Sequence, residues 1–314
     1  MAQQVIDTTT DHGTYKGDPA KVAFEKVNAN DAELYGLVTG LAAVGGENML
    51  INCGVPINQR GFAGGALAAG AYGYDRWKAG SGGCNVSINA TTGVFTHTSG
   101  PLQQIIEAPV VAWGLPLTIS VENPSGNIAV NVGGATGTIT AGTGRRGVTL
   151  TPTGSGNMTV QLTAAGVTYS RPKLEMGSSS TPFQVRSRPL EMMLCRRYYE
   201  TSFNDGLAPG TGRTGHAYQG SGYSSSSVRI TEIPFKVRKR SAPSVTPYTD
   251  NLAGSQQTGM MSVFISGSYA SFAVVGDANQ INVDGWSGDM NLGSGITAGS
   301  SYLVRGNWAA DAEL

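Results

Sequence analysis

Few side chains in this 314-residue sequence have the type and setting for covalent chemistry. The most reactive in type is Cys195, which stands directly before Arg196 and Arg197 in RPLEMMLCRRYYE. Neighbouring cations lower a thiol's pKa and favour the attacking thiolate. A nucleophilic cysteine also needs a base and a group that orients the base. His12, His97 and His216 sit in Gly, Thr or Ser-rich contexts, and no local motif ties any of them to Cys195. The thiol is therefore expected to be inert. Gly142, Gly144 and Gly147, and again Gly210, Gly212 and Gly215, spell GxGxxG, which binds a dinucleotide only between a strand and a helix. VTLTP follows the first set and no helical pattern the second, so hairpin loops are expected. Glu107, Glu122, Asp205, Asp250, Asp284 and Asp289 include enough carboxylates for a glycosidase, but nothing pairs any two of them. Cys53, Cys84 and Cys195 form no CxxC, and neither a zinc site nor a complete disulfide framework is suggested. No catalytic residue, metal or cofactor is expected.

Composition narrows the partners. Lys and Arg together number 21, as do Asp and Glu, so the chain is formally neutral. Nucleic-acid binding needs a surplus of cations to neutralise phosphate, and it is not expected here. The one basic cluster, FKVRKR (Phe235 to Arg240), alternates Phe235 and Val237 with Lys236, Arg238 and Arg240, which predicts a half-buried strand with a solvated face. The opening MAQQVIDTTTDHG has neither a basic nor an apolar signal region, and no window has the length of a membrane span. A protein of reducing cytosol, without export or membrane insertion, is expected.

The elements that would position these residues fall into four parts. In residues 1–47, Asp18 and Pro19 open a helix whose Ala20, Val27, Leu34 and Leu41 recur every seven residues, with Ala23, Asn30 and Leu37 three places on. Three heptads are marginal alone, so Val27, Leu34 and Leu41 are expected to meet partner helices; a helix packed on its own β-domain, or one broken around Asn28 to Asp31, is the alternative. From 48 to 188, LTISVEN, IAVNVGG, GVTLTPT and MTVQLTA alternate apolar with polar between turn residues, the pattern of an antiparallel sandwich. Residues 189–200 read as a short helical joint. Pro189 suits its first turn, Leu190, Met193, Leu194 and Tyr198 form one apolar stripe, and Met192 and Tyr199 lie opposite. A second strand series, VRITEIPFKVRK, SVTPYT, MSVFISG, YASFAVV, INVDG and SYLVRGNW, fills 201–314. The fold class is thus mainly β, a helical segment followed by two antiparallel, jelly-roll-like β-sandwich domains.

Several stretches also resemble one family. VIDTTTDHGTYKGDPAKVAFEKVNANDAELY resembles the N-terminal virion-attachment segment of tailed-bacteriophage fibre proteins. NMLINCGVPINQRGF with YGYDRWKAG, and later YSRPKLEMGSSSTPF, resemble the opening and closing strands of the jelly-roll module, similar to carbohydrate-binding modules, found in phage tail fibres. RPLEMMLCRRYYE, FKVRKRSAPSVT and RGNWAADAEL resemble the distal domain that often follows. The resemblance implies a structural virion protein and not an enzyme: a homotrimeric tail fibre, assembled in the host cytoplasm, docked through its N-terminus on tail or baseplate proteins and binding a bacterial surface glycan. A head, neck or collar fibre without a receptor role, or a polysaccharide depolymerase, is the alternative. Within that expectation the glycan contact falls on distal aromatics near Gly-rich loops: Trp286, flanked by Asp284 and Asp289 in NVDGWSGDMN, with Tyr269 and Tyr302.

Overall fold

A computed structural model describes residues 6–14, 16–42, 46–211, 215–250, 256–275 and 280–314. The protein is mainly β, with antiparallel sheets and a helix ahead of them. Before that helix the chain folds back on itself: the Asp7 carboxylate accepts the Thr9 and Thr10 N–H groups at 2.8 and 3.1 Å, and Asp18 N–H donates to Asp7 O at 2.7 Å. The Asp18 carboxylate, expected to cap the helix, instead takes Asp7 N–H at 2.8 Å and Lys26 Nζ at 2.6 Å. Helix α1 (Ala20–Ala42) then runs unbroken through Asn28 and Asp31. Phe24, Val27 and Leu34 share one face of it and are 69, 38 and 59 % exposed. The side chain of Leu41 lies outside the described residues.

The first body is a two-sheet sandwich built from β1 (Gly65–Leu67), β2 (Lys78–Ala79), β3 (Cys84–Ile88), β4 (Val94–Ser99), β5 (Pro101–Ile106), β6 (Leu117–Glu122), β7 (Ile128–Val132), β8 (Ala135–Ile139), β9 (Arg145–Leu150), β10 (Met158–Thr163) and β11 (Val167–Met176). One sheet runs β1-β3-β4-β11-β6-β9 and the other β2-β5-β10-β7-β8. Alternation drives the packing. In β10, Met158, Val160 and Leu162 are buried while Thr159, Gln161 and Thr163 between them stay half-buried. Phe95 stacks on Tyr169 at 5.1 Å and meets Trp77 edge-on at 5.7 Å, and all three rings are sealed from solvent. Each such apolar side chain contributes about 1.5–3 kcal/mol by leaving water. The first GxGxxG set does not shape the expected hairpin: Gly142 and Gly144 lie in the loop that crosses from β8 in one sheet to β9 in the other, Gly147 lies within β9, Gly144 N–H donates to Asn123 Oδ1 at 2.7 Å, and no helix follows. In the second set Gly212 lies outside the described residues.

A connector leads from β11 to helix α2 (Arg188–Arg196) and is pinned to the sandwich by a buried pair. Lys173 and Glu175, each 1 % exposed, lie 2.9 Å apart, and between them they hold Thr181 and Pro182. α2 buries Met192 and Cys195 against Ile57 and Ile51 of the first body. The expected stripe is thus corrected: Leu190 and Met193 are 47 and 54 % exposed, because the first body meets the opposite face of the helix.

The distal body comprises β12 (Tyr199–Thr201), β13 (His216–Gly222), β14 (Ser227–Ile230), β15 (Ile233–Pro234), β16 (Ser244–Tyr248), β17 (Met260–Ile265), β18 (Ser268–Val275), β19 (Gly285–Trp286), β20 (Asp289–Asn291) and β21 (Ser301–Asp311). Its main sheet closes on itself. The order runs β21-β13-β14-β20-β18-β17, and Ser262 and Val263 of β17 pair back to Arg305 and Val304 of β21. Beyond the ring, β21 continues between β12 and β16. FKVRKR is not a strand: beyond Pro234 the chain leaves the ladder, Phe235 N–H and Lys239 N–H bind Asp284 O and Val283 O, and Lys239 turns inward. Its ammonium is fully buried, 2.5 Å from the Glu200 carboxylate and 4.8 Å over the Phe235 ring. Burial lowers the Lys239 pKa, and Glu200 opposes that shift.

Candidate functional site

The two bodies meet across a seam rich in charge. Arg76, 1 % exposed, lies 3.5 Å over the Tyr198 ring and pairs with the buried Glu313 carboxylate. Arg60 lies 3.7 Å over Tyr199 and reaches Asp311 at 3.2 Å. Gln59 Nε2 donates to Asp75 Oδ2 and to Tyr199 O, both at 2.8 Å. Arg197 crosses to Glu107 at 2.9 Å. A buried ion needs both a partner and hydrogen bonds to remain charged without heavy penalty, and these arginines have both. Asp75 has Gln59 beside it yet is sealed from water, and burial pushes its pKa up to about 7.

At one end of this seam lies a cleft of about 320 Å³. The turn after Met49 forms one wall, with Cys53, Val55 and Ile57; the connector forms the other, with Phe183, Gln184, Val185 and Arg186; Arg188 and Glu191 of α2 close the side. The turn is held in shape by Asn52, whose left-handed backbone (φ 61°) suits asparagine among non-glycine residues. Its amide accepts Ile57 N–H at 2.7 Å and donates to Ile57 O at 2.8 Å and Asp75 O at 2.9 Å, while its carbonyl takes the Trp77 indole N–H at 2.8 Å. Its own N–H donates to the Glu191 carboxylate, so α2 is tied to the turn. Arg186 donates to Leu50 O at 2.9 Å and to Asn48 O, and it faces Glu191 at 3.5 Å. The floor is therefore rigid. Its mouth is apolar and open, with Val55 47 % and Val185 75 % exposed. Cys53 opens onto the cleft and Cys195 lies beneath it, and burial raises both thiols well above their ordinary pKa.

None of the distal residues expected to hold a glycan lines this cleft, and the structure places them differently from expectation. Trp286 is 2 % exposed and packs edge-on against Trp308 at 6.2 Å. It is a core residue that also lines a cavity of about 270 Å³ with Val245, Pro247 and Val274, and at 2 % exposure it offers little ring face for a sugar to stack on. The two glycines around it are not loop formers. A Cβ on Gly285 would stand 2.9 Å from Ile233 O, and one on Gly288 would stand 2.5 Å from Val274 Cγ1, so both glycines allow backbone to approach neighbours closely. Tyr302 packs on the distal core and its hydroxyl accepts Thr297 N–H at 2.9 Å. Tyr269 is half-buried, beside Phe264 at 5.0 Å and beneath the Arg305 guanidinium at 4.5 Å. Asp289 is clamped by both arms of Arg229 at 2.7 and 2.8 Å, which hold its carboxyl below the usual range. Asp284 is exposed, 3.8 Å from Arg238.

The remaining carboxylates each have a partner of their own: Glu122 takes Arg145 and Arg171, Asp250 takes Ser262, and Glu107 takes Arg197. Among the described residues no group of three His, Cys, Asp or Glu side chains is placed to hold a metal ion. Sequence reasoning missed Val55, Phe183 and Arg188 as a group. Arg186 and Leu50, which hold the two walls together, are 136 positions apart, and no local pattern announces such a meeting.

No protein-family profile and no curated protein matches this chain. Among solved structures, a crystal structure of a Paenibacillus sp. cycloisomaltooligosaccharide glucanotransferase, complexed with cycloisomaltoheptaose, matches 80 % of this chain at 11 % identity with a TM-score of 0.20. The chain spans 47 % of that protein's length. A likeness at that score carries no argument about fold or activity.

Proposed function

We propose that this chain is a structural virion protein, a homotrimeric tail fibre that docks by its N-terminal segment on tail or baseplate proteins and binds a bacterial surface glycan. The observation that carries the reading is the apolar face of α1: Phe24, Val27 and Leu34 lie exposed on one stripe at heptad-compatible spacing. Large exposed apolar stripes are interaction sites, and helices with this spacing bury them against one another. Three chains on one axis would present three copies of the cleft, and weak sugar contacts gain strength by avidity. The reading is of adhesion without catalysis. The test is the scattering mass of the full chain, together with its adsorption to bacteria before and after surface polysaccharide is stripped. A trimer whose adsorption falls on stripping supports the reading. A monomer, or adsorption indifferent to the polysaccharide, overturns it.

A further inference from the structure

The cleft is one of two cavities that share a single cation. Ile57 lines the first, its neighbour Pro56 lines a second of about 340 Å³ with Phe62, Tyr74 and Asp205, and Arg188 lines both. Arg188 differs from every arginine of the seam. Its side chain is 55 % exposed, and its ion pair with Asp205 is 4.0 Å long, with that carboxylate itself 53 % exposed. Such a pair is worth about 0–1 kcal/mol and yields readily to a better-matched anion. Arg186, two residues earlier, is by contrast fully committed to Leu50 O, Asn48 O and Glu191.

We propose that the two cavities form one site for an anionic saccharide, a sugar bearing a single carboxylate that Arg188 grips while the C–H face of the ring lies on Val55 and Phe183. The assignment rests on the glycan-binding reading above and narrows it to a place and a ligand class. A guanidinium fork matches a carboxylate through two parallel hydrogen bonds. Arg188 is also the first residue of α2, where the helix favours negative charge, and the Ser187 side chain makes no cap bond there. The charge balance selects a single negative charge over a dianionic phosphate monoester. On the cavity walls Glu191 is answered by Arg186, which leaves Asp205 as the like charge and Arg188 as the one available cation.

The experiment is calorimetric titration of the full-length protein with a panel of uronate-containing bacterial polysaccharides, each also carboxyl-reduced and dephosphorylated. Binding of at least one native polymer is expected, lost on carboxyl reduction and kept on dephosphorylation. Arg188→Gln should weaken that binding about tenfold, Arg188→Lys less, and Asp205→Asn should tighten it by removing the competing carboxylate. Val55→Trp should block it by filling the mouth. All three side chains are exposed, so melting of the four variants should stay as in the wild type. Equal binding after carboxyl reduction, loss on dephosphorylation, no binding to any native polymer, or an Arg188→Gln variant that binds like the wild type would each overturn the assignment. Cell adsorption separates the two levels. Variants that no longer meet these expectations but still adsorb through surface polysaccharide remove the site and leave the adhesin reading, whereas a wild type indifferent to polysaccharide removes both.

Discussion

The distal body and the seam hold the same kinds of side chain in opposite states. In the distal body the tryptophan is sealed and the aspartate beside it is clamped: Trp286 is 2 % exposed, and Asp289 is held by both arms of Arg229. At the seam the cleft mouth is open and apolar, and Asp205 touches Arg188 only at 4.0 Å. The difference comes from shape. Trp286 lies on β19, which pairs with β15 off the ring, and it is consumed in packing against Trp308 and the distal core. The cleft lies where the turn after Met49 faces the connector and α2, walls that no strand pairing draws shut. Residue type marks what a side chain can do; the packing around it determines whether a ligand can reach it.

The largest expected effect tests the distal half of that contrast. Trp286→Ala should cost about 4 kcal/mol and lower the melting of the distal body, with adsorption falling only as the fold is lost. Trp286→Phe should be far milder, since the indole N–H has no partner to lose. Scanning calorimetry with adsorption measured on the same samples checks both. Adsorption lost at unchanged melting would return Trp286 to the binding surface and end the comparison.

At the seam the corresponding break is Glu313→Ala, which leaves Arg76 buried without its counter-ion. A loss of about 3 kcal/mol is expected, read by denaturant titration, with faster proteolysis between the two bodies. A near-neutral result would mean that Arg76 is satisfied by Ile105 O and the Tyr198 ring alone.

What was legible in the sequence follows the same division. Strands with strict alternation, such as Ile128–Val132 and Met158–Thr163, fall where the pattern puts them, because each face of a sandwich strand has one fixed environment. The unbroken α1 and the place of α2 were legible for a similar reason, each carrying its own local period. The ring closure was not, because it rests on a short pairing between β17 and β21 that no local period encodes. FKVRKR misled only as a strand: its alternation of burial holds, with Phe235 and Lys239 buried and Lys236 and Arg238 exposed, but Lys239 takes the inward place by reaching Glu200, 39 positions away. The cleft was invisible because its walls are loops, and loops carry no period.

A subtler probe of the seam is pH. Asp75 is an acid whose pKa burial raises from 3.8 to about 7 in the folded protein. The folded state therefore prefers the protonated form, and the stability this contributes is full below about pH 4 and lost as pH rises toward 7. Arg60 and the Gln59 hydrogen bonds oppose the shift and Glu313 adds to it. On this account, wild-type stability falls across that window by on the order of 4 kcal/mol, and Asp75→Asn flattens that slope. Parallel slopes in the two proteins, measured by denaturant titration at each pH, would show that Asp75 is not the titrating group.

The smallest expected effect on the fold carries the largest consequence for assembly. Leu34 is 59 % exposed on α1, so Leu34→Asp removes little packing within one chain, and β-body melting should move by less than about 0.5 kcal/mol. If three chains share an axis, however, the same change brings three carboxylates together in an apolar seam, where each is expensive unless it is protonated. The scattering mass should then fall from that of three chains toward one at neutral pH and recover partly under acid. Glu25→Gln, also on α1 but 62 % exposed beside Lys21, should leave the mass unchanged. A Leu34→Asp protein of unaltered mass would show that α1 does not hold the chains together. The cleft would then act singly or through contacts of the β bodies, and its affinity for sugar would have to be correspondingly higher to hold a cell.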